Sequence, residues 1–415
     1  MRKIFAAAVL AVLSVGAAGP ALAQEENAPV LSGLPVRASA AGKALDDLGF
    51  VDFELSVAGR KVPLDAVVFV RDNAVERREG PTYVEPPDRR RIDLVFGLTH
   101  FSAGLEAALK DFMLNKFRPG DELTVRTPRT TYTLSPYALE AKSREALAQE
   151  VAAAVRSDIE SVTRLYDDIL TNLRQLAVVF GGSRSGAAIM IKLTSGATGP
   201  VSEAMDRQIP RYRASFERLI ALRHPDNLMK EQPGEDAPGP AWTGPRITLL
   251  FFEHAFLPVL PQDIMTTLLQ VYQERNPKLL EDIQALDRAF QNAVLPDETR
   301  LKRFFGRGGG QLYLFDIPAK VEDAGLGEMK PFAEEFFAVE AGIAVTSGGM
   351  AVAPGDPAVD LPKIMDLLGT YYILFYKPRP QAKDEGAGAL AISVGLKRRT
   401  ADLTYPQYAY TTGKG

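Results

Sequence analysis

The stretch Arg91-Ile92-Asp93-Leu94-Val95-Phe96 decides the predicted fold. Its apolar run is typical of a strand that is buried on both faces. Ser102 follows as a candidate N-cap of a helix, and the turn at 118–121 ends that helix before a second strand begins at Leu123. The apolar side of the helix carries Leu105, Leu109, Phe112 and Phe117. Because a strand, a helix and a strand in this order form the βαβ unit of a parallel sheet, the stretch predicts an α/β fold.

The same alternation of strand and helix returns in the second half of the chain. Residues 247–252 and 311–315 are strongly apolar strand candidates, with helical patterns between and after them. We therefore expect a doubly wound, mostly parallel sheet over residues 89–370, interrupted by a helical insertion at 136–243.

Short β segments flank this region on both sides. Apolar residues alternate from Val51 to Val57, and a second apolar run follows at 67–70, so residues 48–88 predict a small antiparallel β segment. Three further strands are expected in residues 371–415. We expect the N- and C-terminal strands to pair into a flanking antiparallel β unit.

Composition excludes several classes of protein. The chain has 415 residues, of which 46% are hydrophobic and 24% are charged, as in ordinary globular proteins. It has no cysteine, which excludes disulfides, thiolate metal sites and cysteine nucleophiles. Its formal net charge of -4 disfavours a nucleic-acid binder, because such proteins carry a surplus of Lys and Arg to neutralise phosphates.

The N-terminus has the pattern of a secretory signal peptide. Arg2 and Lys3 precede the apolar run 4–15, and the small residues Ala21-Leu22-Ala23 form an A-x-A-like cleavage site. We expect a signal peptide at 1–23, with an uncleaved anchor as the alternative, and a flexible lead-in at 24–47. The pattern predicts a periplasmic or secreted protein without a membrane span after cleavage.

One long helix in the insertion carries apolar residues at heptad spacing. We expect this stripe to pack inside the chain, against the helical patterns at 205–223 and 278–294. The alternative is a coiled-coil homodimer through residues 148–176. The stripe consists of Val155, Ile159, Val162, Tyr166, Ile169, Leu173 and Leu176.

Several short stretches resemble the von Willebrand factor A-like (VWFA) family, in its secreted bacterial, acidobacterial-type branch. Their order along the chain carries the resemblance, since no single motif is diagnostic. The similar stretches are 62–65 (Val-Pro-Leu-Asp), 69–73 (Phe-Val-Arg-Asp-Asn), 91–121, 244–253 (Gly-Pro-Arg-Ile-Thr-Leu-Leu-Phe-Phe-Glu), 346–349 (Thr-Ser-Gly-Gly) and 371–378 (Tyr-Tyr-Ile-Leu-Phe-Tyr-Lys-Pro). The resemblance implies a sheet that binds ligands through a bound divalent metal ion.

The residues at the position of that metal site depart from the family pattern. The metal-ion-dependent adhesion site of the family begins with Asp-x-Ser-x-Ser, whose oxygen atoms suit Mg²⁺ or Mn²⁺. Here the corresponding residues are Gly97-Leu98-Thr99-His100-Phe101, of which only Thr99 keeps a side-chain oxygen. Glu253 occupies the place of the later acidic residue. The site is therefore degenerate, and we expect no metal cofactor.

Four polar residues follow strands that are expected to end at one edge of the sheet. They are the first candidate ligand- or partner-binding residues, because open α/β sheets bind ligands outside the carboxyl ends of their strands. An alternative is a Zn²⁺ site formed by His100, Glu253 and His254, since imidazole and carboxylate groups suit zinc. The four candidates are Thr99, His100, Glu253 and His254.

No catalytic residue is predicted. The glycine-rich stretch 181–186 lacks the Lys-[Ser/Thr] ending of a phosphate-binding loop, and the chain has no G-x-S-x-G motif. We expect a non-catalytic module that recognises another extracytoplasmic protein or a surface polymer. The alternatives are a metal-dependent hydrolase that uses the same edge of the sheet, and a structural envelope protein that assembles through the heptad stripe.

Overall fold

The computed structural model describes most of the chain, and the predicted signal peptide at 1–23 lies outside it. Among the described residues, every helix is either too short or too polar to cross a membrane. The described residues are 31–85, 90–135, 137–195, 198–223, 244–254, 256–291, 298–299, 301–302, 310–318, 322–331, 334–378 and 389–410.

The first half of the described chain places nine strands before a long helical region. The N-terminal strands are β1 (Ser32–Ala40), β2 (Lys43–Ala44), β3 (Phe53–Val57), β4 (Arg60–Val62), β5 (Leu64–Arg71) and β6 (Ala74–Glu79). They are followed by β7 (Arg91–Gly97), α1 (Ala103–Asp111) with a π-helical turn (Phe112–Lys116), β8 (Glu122–Arg126) and β9 (Thr131–Leu134). The helical region contains α2 (Ala138–Ala141), α3 (Arg144–Val179), α4 (Gly186–Thr194) and α5 (Thr198–Arg223).

The second half returns to alternating strands and helices and ends in strands. Its first elements are β10 (Arg246–His254), β11 (Phe256–Val259), α6 (Gln262–Tyr272), α7 (Pro277–Gln291), β12 (Gln311–Pro318) and β13 (Glu328–Pro331). Its last elements are α8 (Glu334–Thr346), β14 (Met350–Val352), α9 (Pro357–Leu367), β15 (Thr370–Tyr376), β16 (Ala389–Leu396), β17 (Asp402–Thr404) and β18 (Tyr408–Tyr410).

The described strands form four sheets, and antiparallel pairing dominates. One sheet has the strand order β17-β1-β15-β5-β6 with β2 beside β1, a second has the order β18-β16-β3-β4, and a third pairs β11 with β13. All pairs in these three sheets are antiparallel. The fourth sheet, β14-β12-β10-β7-β8-β9, is mixed, because β9 runs antiparallel to β8 whereas the other neighbours are parallel.

The predicted fold class, a doubly wound mostly parallel sheet, is therefore wrong for this chain. The structure is a mixed α/β fold with mostly antiparallel sheets and one mixed sheet. The prediction gave too much weight to the βαβ pattern, because parallel pairing occurs only in the mixed sheet. It also gave too little weight to the terminal segments: β1 lies within residues 24–47, where we expected a flexible lead-in, and pairs with both β15 and β17.

The middle of the mixed sheet is apolar because β7, β10 and β12 are buried strands. Phe96, Phe251 and Phe315 occupy one row across these strands, and their rings are stacked with centroids 5.1 Å and 4.7 Å apart. Helices α1 and α9 and the first half of α3 pack on this face, so part of the predicted helical insertion belongs to the core of the sheet. Helix α8 packs on the opposite face.

The second half of α3 passes the carboxyl edge of the mixed sheet and enters a helical core. Side chains from α4, α5, α6 and α7 surround it there. All seven residues of the heptad stripe are at most 2% exposed within the single chain. A dimer interface would need these same side chains on the surface, so the stripe serves internal packing. The helical core therefore meets the mixed sheet along α3.

Candidate functional site

Two chain segments bring candidate residues together at the carboxyl edge of the mixed sheet. Thr99 and His100 lie in the loop after β7, and Glu253 lies near the end of β10. Since β7 and β10 are parallel neighbours, with Gly97 opposite Phe252, their ends meet at the same edge. The side chain of the fourth candidate, His254, lies outside the described residues, although its backbone belongs to β10.

The carboxylate of Glu253 is enclosed by donors from the opposite loop. Its side chain is 3% exposed. Oxygen Oε2 accepts hydrogen bonds from the Thr99 amide, at 2.5 Å, and from the Thr99 hydroxyl. Oxygen Oε1 lies 3.2 Å from His100 Nδ1, which is also 2.9 Å from the Thr99 hydroxyl oxygen. Both carboxylate oxygens are therefore engaged by protein groups.

The electrostatics of the pair favour its charged form. Burial alone would raise the pKa of Glu253, but the hydrogen bond from His100, the charge of Arg223 and the hydrogen bonds from Thr99 hold it below its ordinary value. The hydrogen bond to Glu253 raises the pKa of His100, although burial opposes this shift. Both shifts favour an imidazolium that donates from Nδ1 to a carboxylate.

Arg223 supports the carboxylate from the helical side. It is the last residue of α5 and is fully buried, and its Nη2 donates to the Glu253 carbonyl oxygen at 2.8 Å. Its guanidinium carbon lies 5.6 Å from the centroid of the Phe252 ring. Burial lowers the pKa of Arg223, whereas the charge of Glu253 opposes that shift. The end of α5 is thus fixed to the end of β10.

Helix α3 fixes the loop that carries Thr99 and His100. The hydroxyl of Thr163 donates to the Thr99 carbonyl oxygen at 2.5 Å. Tyr166 places its ring edge-on to the His100 imidazole, with centroids 5.7 Å apart, and burial raises the pKa of its hydroxyl. Thr163 thus fixes the backbone at Thr99, and Tyr166 packs against the His100 ring.

These supporting residues are not predicted from the sequence. The heptad pattern places Tyr166 only in the apolar stripe, although a tyrosine in an otherwise aliphatic stripe indicates a buried polar contact. Thr163 and Arg223 gave no signal of their own, because their partners depend on the path of α3 and α5 past the sheet.

The rim of the site carries an aromatic residue and an arginine. Phe101 follows His100 in the loop, and the Arg156 guanidinium lies 5.1 Å from its ring centroid. Arg156 also pairs with Glu106 of α1, which in turn pairs with Lys110 at 2.8 Å. The Arg156 side chain is 44% exposed and that of His100 is 29% exposed. Polar and aromatic groups therefore reach solvent above the buried carboxylate.

The zinc alternative needs the side chain of His254, which lies outside the described residues, so this alternative stays a prediction. The described residues contain no group of three His, Asp or Glu side chains that could hold a metal ion. In the zinc alternative, His100 and Glu253 would have to ligate the ion, but they are hydrogen-bonded to each other, and Glu253 also binds Thr99. A metal would have to displace these donors from the carboxylate.

No family model, no curated protein and no solved structure matches the chain. The resemblance to the von Willebrand factor A-like family therefore stays a prediction from short sequence stretches. A proposal about the function of the chain must therefore be argued from the geometry of its own residues.

Proposed function

We propose that the chain is a non-catalytic, metal-independent module that recognises another extracytoplasmic protein, or a surface polymer, at the carboxyl edge of its mixed sheet. The observation that carries this proposal is the closed carboxylate: both oxygens of Glu253 are engaged by Thr99 and His100. The same carboxylate would be the main anionic ligand of a metal-dependent site.

The hydrogen bonds to Glu253 compensate its buried negative charge, which is the role that a bound cation would otherwise have. A buried carboxylate is stable only when opposite charge or several donors compensate for its lost hydration. Here the Thr99 amide, the Thr99 hydroxyl and the His100 imidazolium supply that compensation. The loop after β7 is therefore held in place by protein groups, and it needs no ion to take up its conformation.

The accessible groups at this edge suit recognition. Arginine and aromatic residues contribute most of the binding energy in many protein interfaces, and they do so best when their positions are fixed beforehand. Phe101 and Arg156 stack on each other, and the loop that carries Phe101 is held by Glu253 and Thr163. An imidazolium whose Nδ1 is occupied keeps Nε2 as a donor for an acceptor group of the partner.

A hydrolase is less well supported by the same geometry. A general base or metal ligand must come within hydrogen-bond reach of the reacting atoms. Glu253 is almost fully buried and faces Thr99 and His100, so a substrate at the surface would meet His100, Phe101 and Arg156 instead. The extracytoplasmic location is proposed from the residue pattern at 1–23.

The proposal is tested by capture of partners from the native cell envelope, with and without a chelator. Arg156→Glu reverses a charge at the proposed surface, and Arg91→Glu is the matched control, since Arg91 lies at the other end of β7 and is also exposed. We expect one set of partners that survives EDTA, is retained by the control and is lost from Arg156→Glu. Equal capture by both variants, or capture only with added Mg²⁺ or Mn²⁺, would overturn the proposal.

A further inference from the structure

A gap separates strands β16 and β17 beside the core that the two larger antiparallel sheets share. The loop 397–401 joins the two strands, and β17 leads into β18. Strand β16 pairs with β18 through residues 389–391, and the last bond between them runs from the Ile392 amide to the Gln407 carbonyl oxygen, at 2.7 Å. Beyond this bond the chain pairs with β1 instead, as β17, so the two strands move apart.

The backbone groups of Val394 and Leu396 face this gap. In an antiparallel pair, successive residues direct their N–H and C=O groups to opposite sides of the strand. The Ala391 carbonyl oxygen accepts from the Ala58 amide next to β3, at 2.8 Å, whereas the Ile392 amide bonds on the side of β18. Residues 394 and 396 share the orientation of Ile392, and their N–H and C=O groups have no backbone partner within the residues that the structure describes.

Leu403 presents the same kind of backbone groups from the other side of the gap. In the register of β17 with β1, Leu403 lies opposite Ala38. The Ala38 carbonyl oxygen accepts from the Leu45 amide at 2.9 Å, so Ala38 bonds on the side of β2. The bonds between β1 and β17 therefore belong to the neighbouring residues, and the N–H and C=O groups of Leu403 point away from β1 into the gap.

The gap opens into a cavity of about 360 Å³. This volume is at the lower end of the range for ligand pockets. At about 3.3 Å per residue, β16 offers about 7 Å between Val394 and Leu396, which matches a ligand of about three residues. The apolar side chains of the lining come from both sides of the gap and contribute to the shared core. They are Val394, Leu396, Leu403 and Tyr405.

The charges beside the gap do not select a charged ligand. The loop carries basic residues at 397–399, and Arg399 contacts both carboxylate oxygens of Asp47, at 2.7 and 3.0 Å. Asp52 lies beside the start of the loop, and Asp402 follows its end. Because acidic neighbours match the basic residues, we expect the ligand to be recognised through its backbone.

We infer that this gap binds a short extended segment of a partner protein, whose backbone bonds to Val394, Leu396 and Leu403. An extended segment repeats its N–H and C=O groups at the same two-residue interval as the edges of the gap. A side chain of the segment that points towards the core enters the apolar cavity, so we expect it to be apolar. This inference goes beyond the proposed function and does not rest on it, because the gap shares no residue with the sheet-edge site.

The first experiment compares two isomeric peptides with the full chain after signal removal, by ligand-observed NMR. One is acetyl-Thr-Ile-Thr-Ile-Thr-amide, and in the other N-methylvaline replaces both isoleucines. The peptides contain the same atoms, but the second lacks two backbone N–H donors. We expect the isoleucine peptide to bind at least about tenfold more tightly, because two hydrogen bonds together correspond to about this factor. Equal binding, or no binding of either peptide at about 1 mM, would overturn the inference.

The second experiment changes the protein at one N–H group. Leu403→Pro removes the N–H group that faces the gap, and Leu403→Ala is the matched control that keeps it. Proline is tolerated in a strand where the N–H group has no partner in the sheet. We expect Leu403→Pro to bind the isoleucine peptide about threefold to tenfold more weakly than Leu403→Ala. Equal affinities of the two variants would contradict the inference.

A second pair of variants replaces the first if Leu403→Pro does not fold, as judged by circular dichroism. Val394→Pro and Val394→Ala make the same change on the other side of the gap, and we expect the same difference in affinity. Arg156→Glu should leave peptide binding unchanged, so that failure here and failure of the proposed function are distinguishable.

Two further measurements separate other occupants of the gap. In sedimentation velocity without peptide, a dimer of Leu403→Ala that is lost in Leu403→Pro would show that a second copy of the chain fills the gap, and would contradict a separate partner. Raising the salt concentration from about 0.05 to about 0.5 M should change the affinity for the isoleucine peptide by less than about twofold. A steep loss of affinity with salt would show recognition through charge and would overturn the inference.

Discussion

His100 and Glu253 are 153 residues apart in the chain, yet His100 Nδ1 and Glu253 Oε1 lie 3.2 Å apart. The contact joins the loop after β7 to the end of β10, at the point where α3 leaves the sheet and enters the helical core. It therefore ties together two distant segments of the chain that meet at the carboxyl edge of the mixed sheet.

Glu253→Gln should destabilise the protein by about 2–3 kcal/mol, because an amide cannot replace a buried carboxylate that accepts from Thr99 and the His100 imidazolium. Urea unfolding monitored by circular dichroism measures the change. Glu76→Gln is the control: Glu76 is an exposed carboxylate 3.5 Å from Arg71, and its loss should cost about 0–1 kcal/mol. Equal effects of the two substitutions would show that the Glu253 carboxylate has no special role.

The contribution of the pair should depend on pH in both directions. The pKa of His100 is raised from 6.5, so its contribution is complete below that value and is lost as pH rises through the raised pKa. The pKa of Glu253 is lowered from 4.5, so its contribution is complete above that value and is lost as pH falls through the lowered pKa. The difference in unfolding free energy between the original chain and His100→Gln should therefore be largest at about pH 5–6.

Chemical unfolding at a series of pH values from acid to mildly alkaline measures that difference. On the alkaline side, the original chain should lose stability relative to the variant. If the unfolding free energies of the two proteins change with pH in parallel, folding does not shift the pKa of His100 and this prediction is wrong.

Thr163→Val should destabilise the protein by about 1 kcal/mol, because it removes the hydroxyl that donates to the Thr99 carbonyl oxygen. It should also weaken partner capture, since the loop that presents His100 and Phe101 loses its tie to α3. Thr171→Val is the control on an exposed position of the same helix. Thermal unfolding and envelope capture, run on both variants, check the two effects. Unchanged capture by Thr163→Val would show that the hydrogen bond from Thr163 to Thr99 is not needed for recognition of the partner.

Asp121→Asn should cause a larger loss, of about 3–5 kcal/mol, because it breaks a buried ion pair. Asp121 is fully buried, pairs with Arg90 at 2.7 Å, and accepts from Asn73 at 2.9 Å, which joins the β7–β8 connection to the β5–β6 turn. Asp366→Asn removes an exposed partner of Lys116 and should cost about 0–1 kcal/mol. Similar unfolding midpoints for these two variants would rule out a structural role for the Asp121 junction.

The sequence was informative where local pattern and packing agree. The strand at 91–96, the Ser102 cap and the return strand from Leu123 correspond to β7, α1 and β8, because each segment buries the face that its own periodicity presents. The approach of Thr99 to Glu253 follows from the same pattern, once β7 and β10 are neighbours.

The rest of the fold depends on contacts between distant segments that no local pattern encodes. Strand β1 contains Pro35 and several small residues, which resemble a linker, yet it pairs with β15 across more than 300 residues, as in the register Val36 with Tyr372. The contacts of Arg156 with Phe101 and of Thr163 with Thr99 depend on where α3 crosses the edge of the sheet. Helical periodicity predicts which face of α3 is buried, but it does not predict where along α3 the helix crosses the edge of the sheet.

The central claim, recognition without a metal at the edge around His100, is tested most directly by a photo-crosslinking amino acid placed at Phe101 and activated in isolated envelopes. We expect one discrete adduct whose yield is the same in EDTA and in Mg²⁺ and falls when Arg156→Glu is added. An adduct that requires the divalent ion, or an equal yield with and without Arg156→Glu, would contradict the claim.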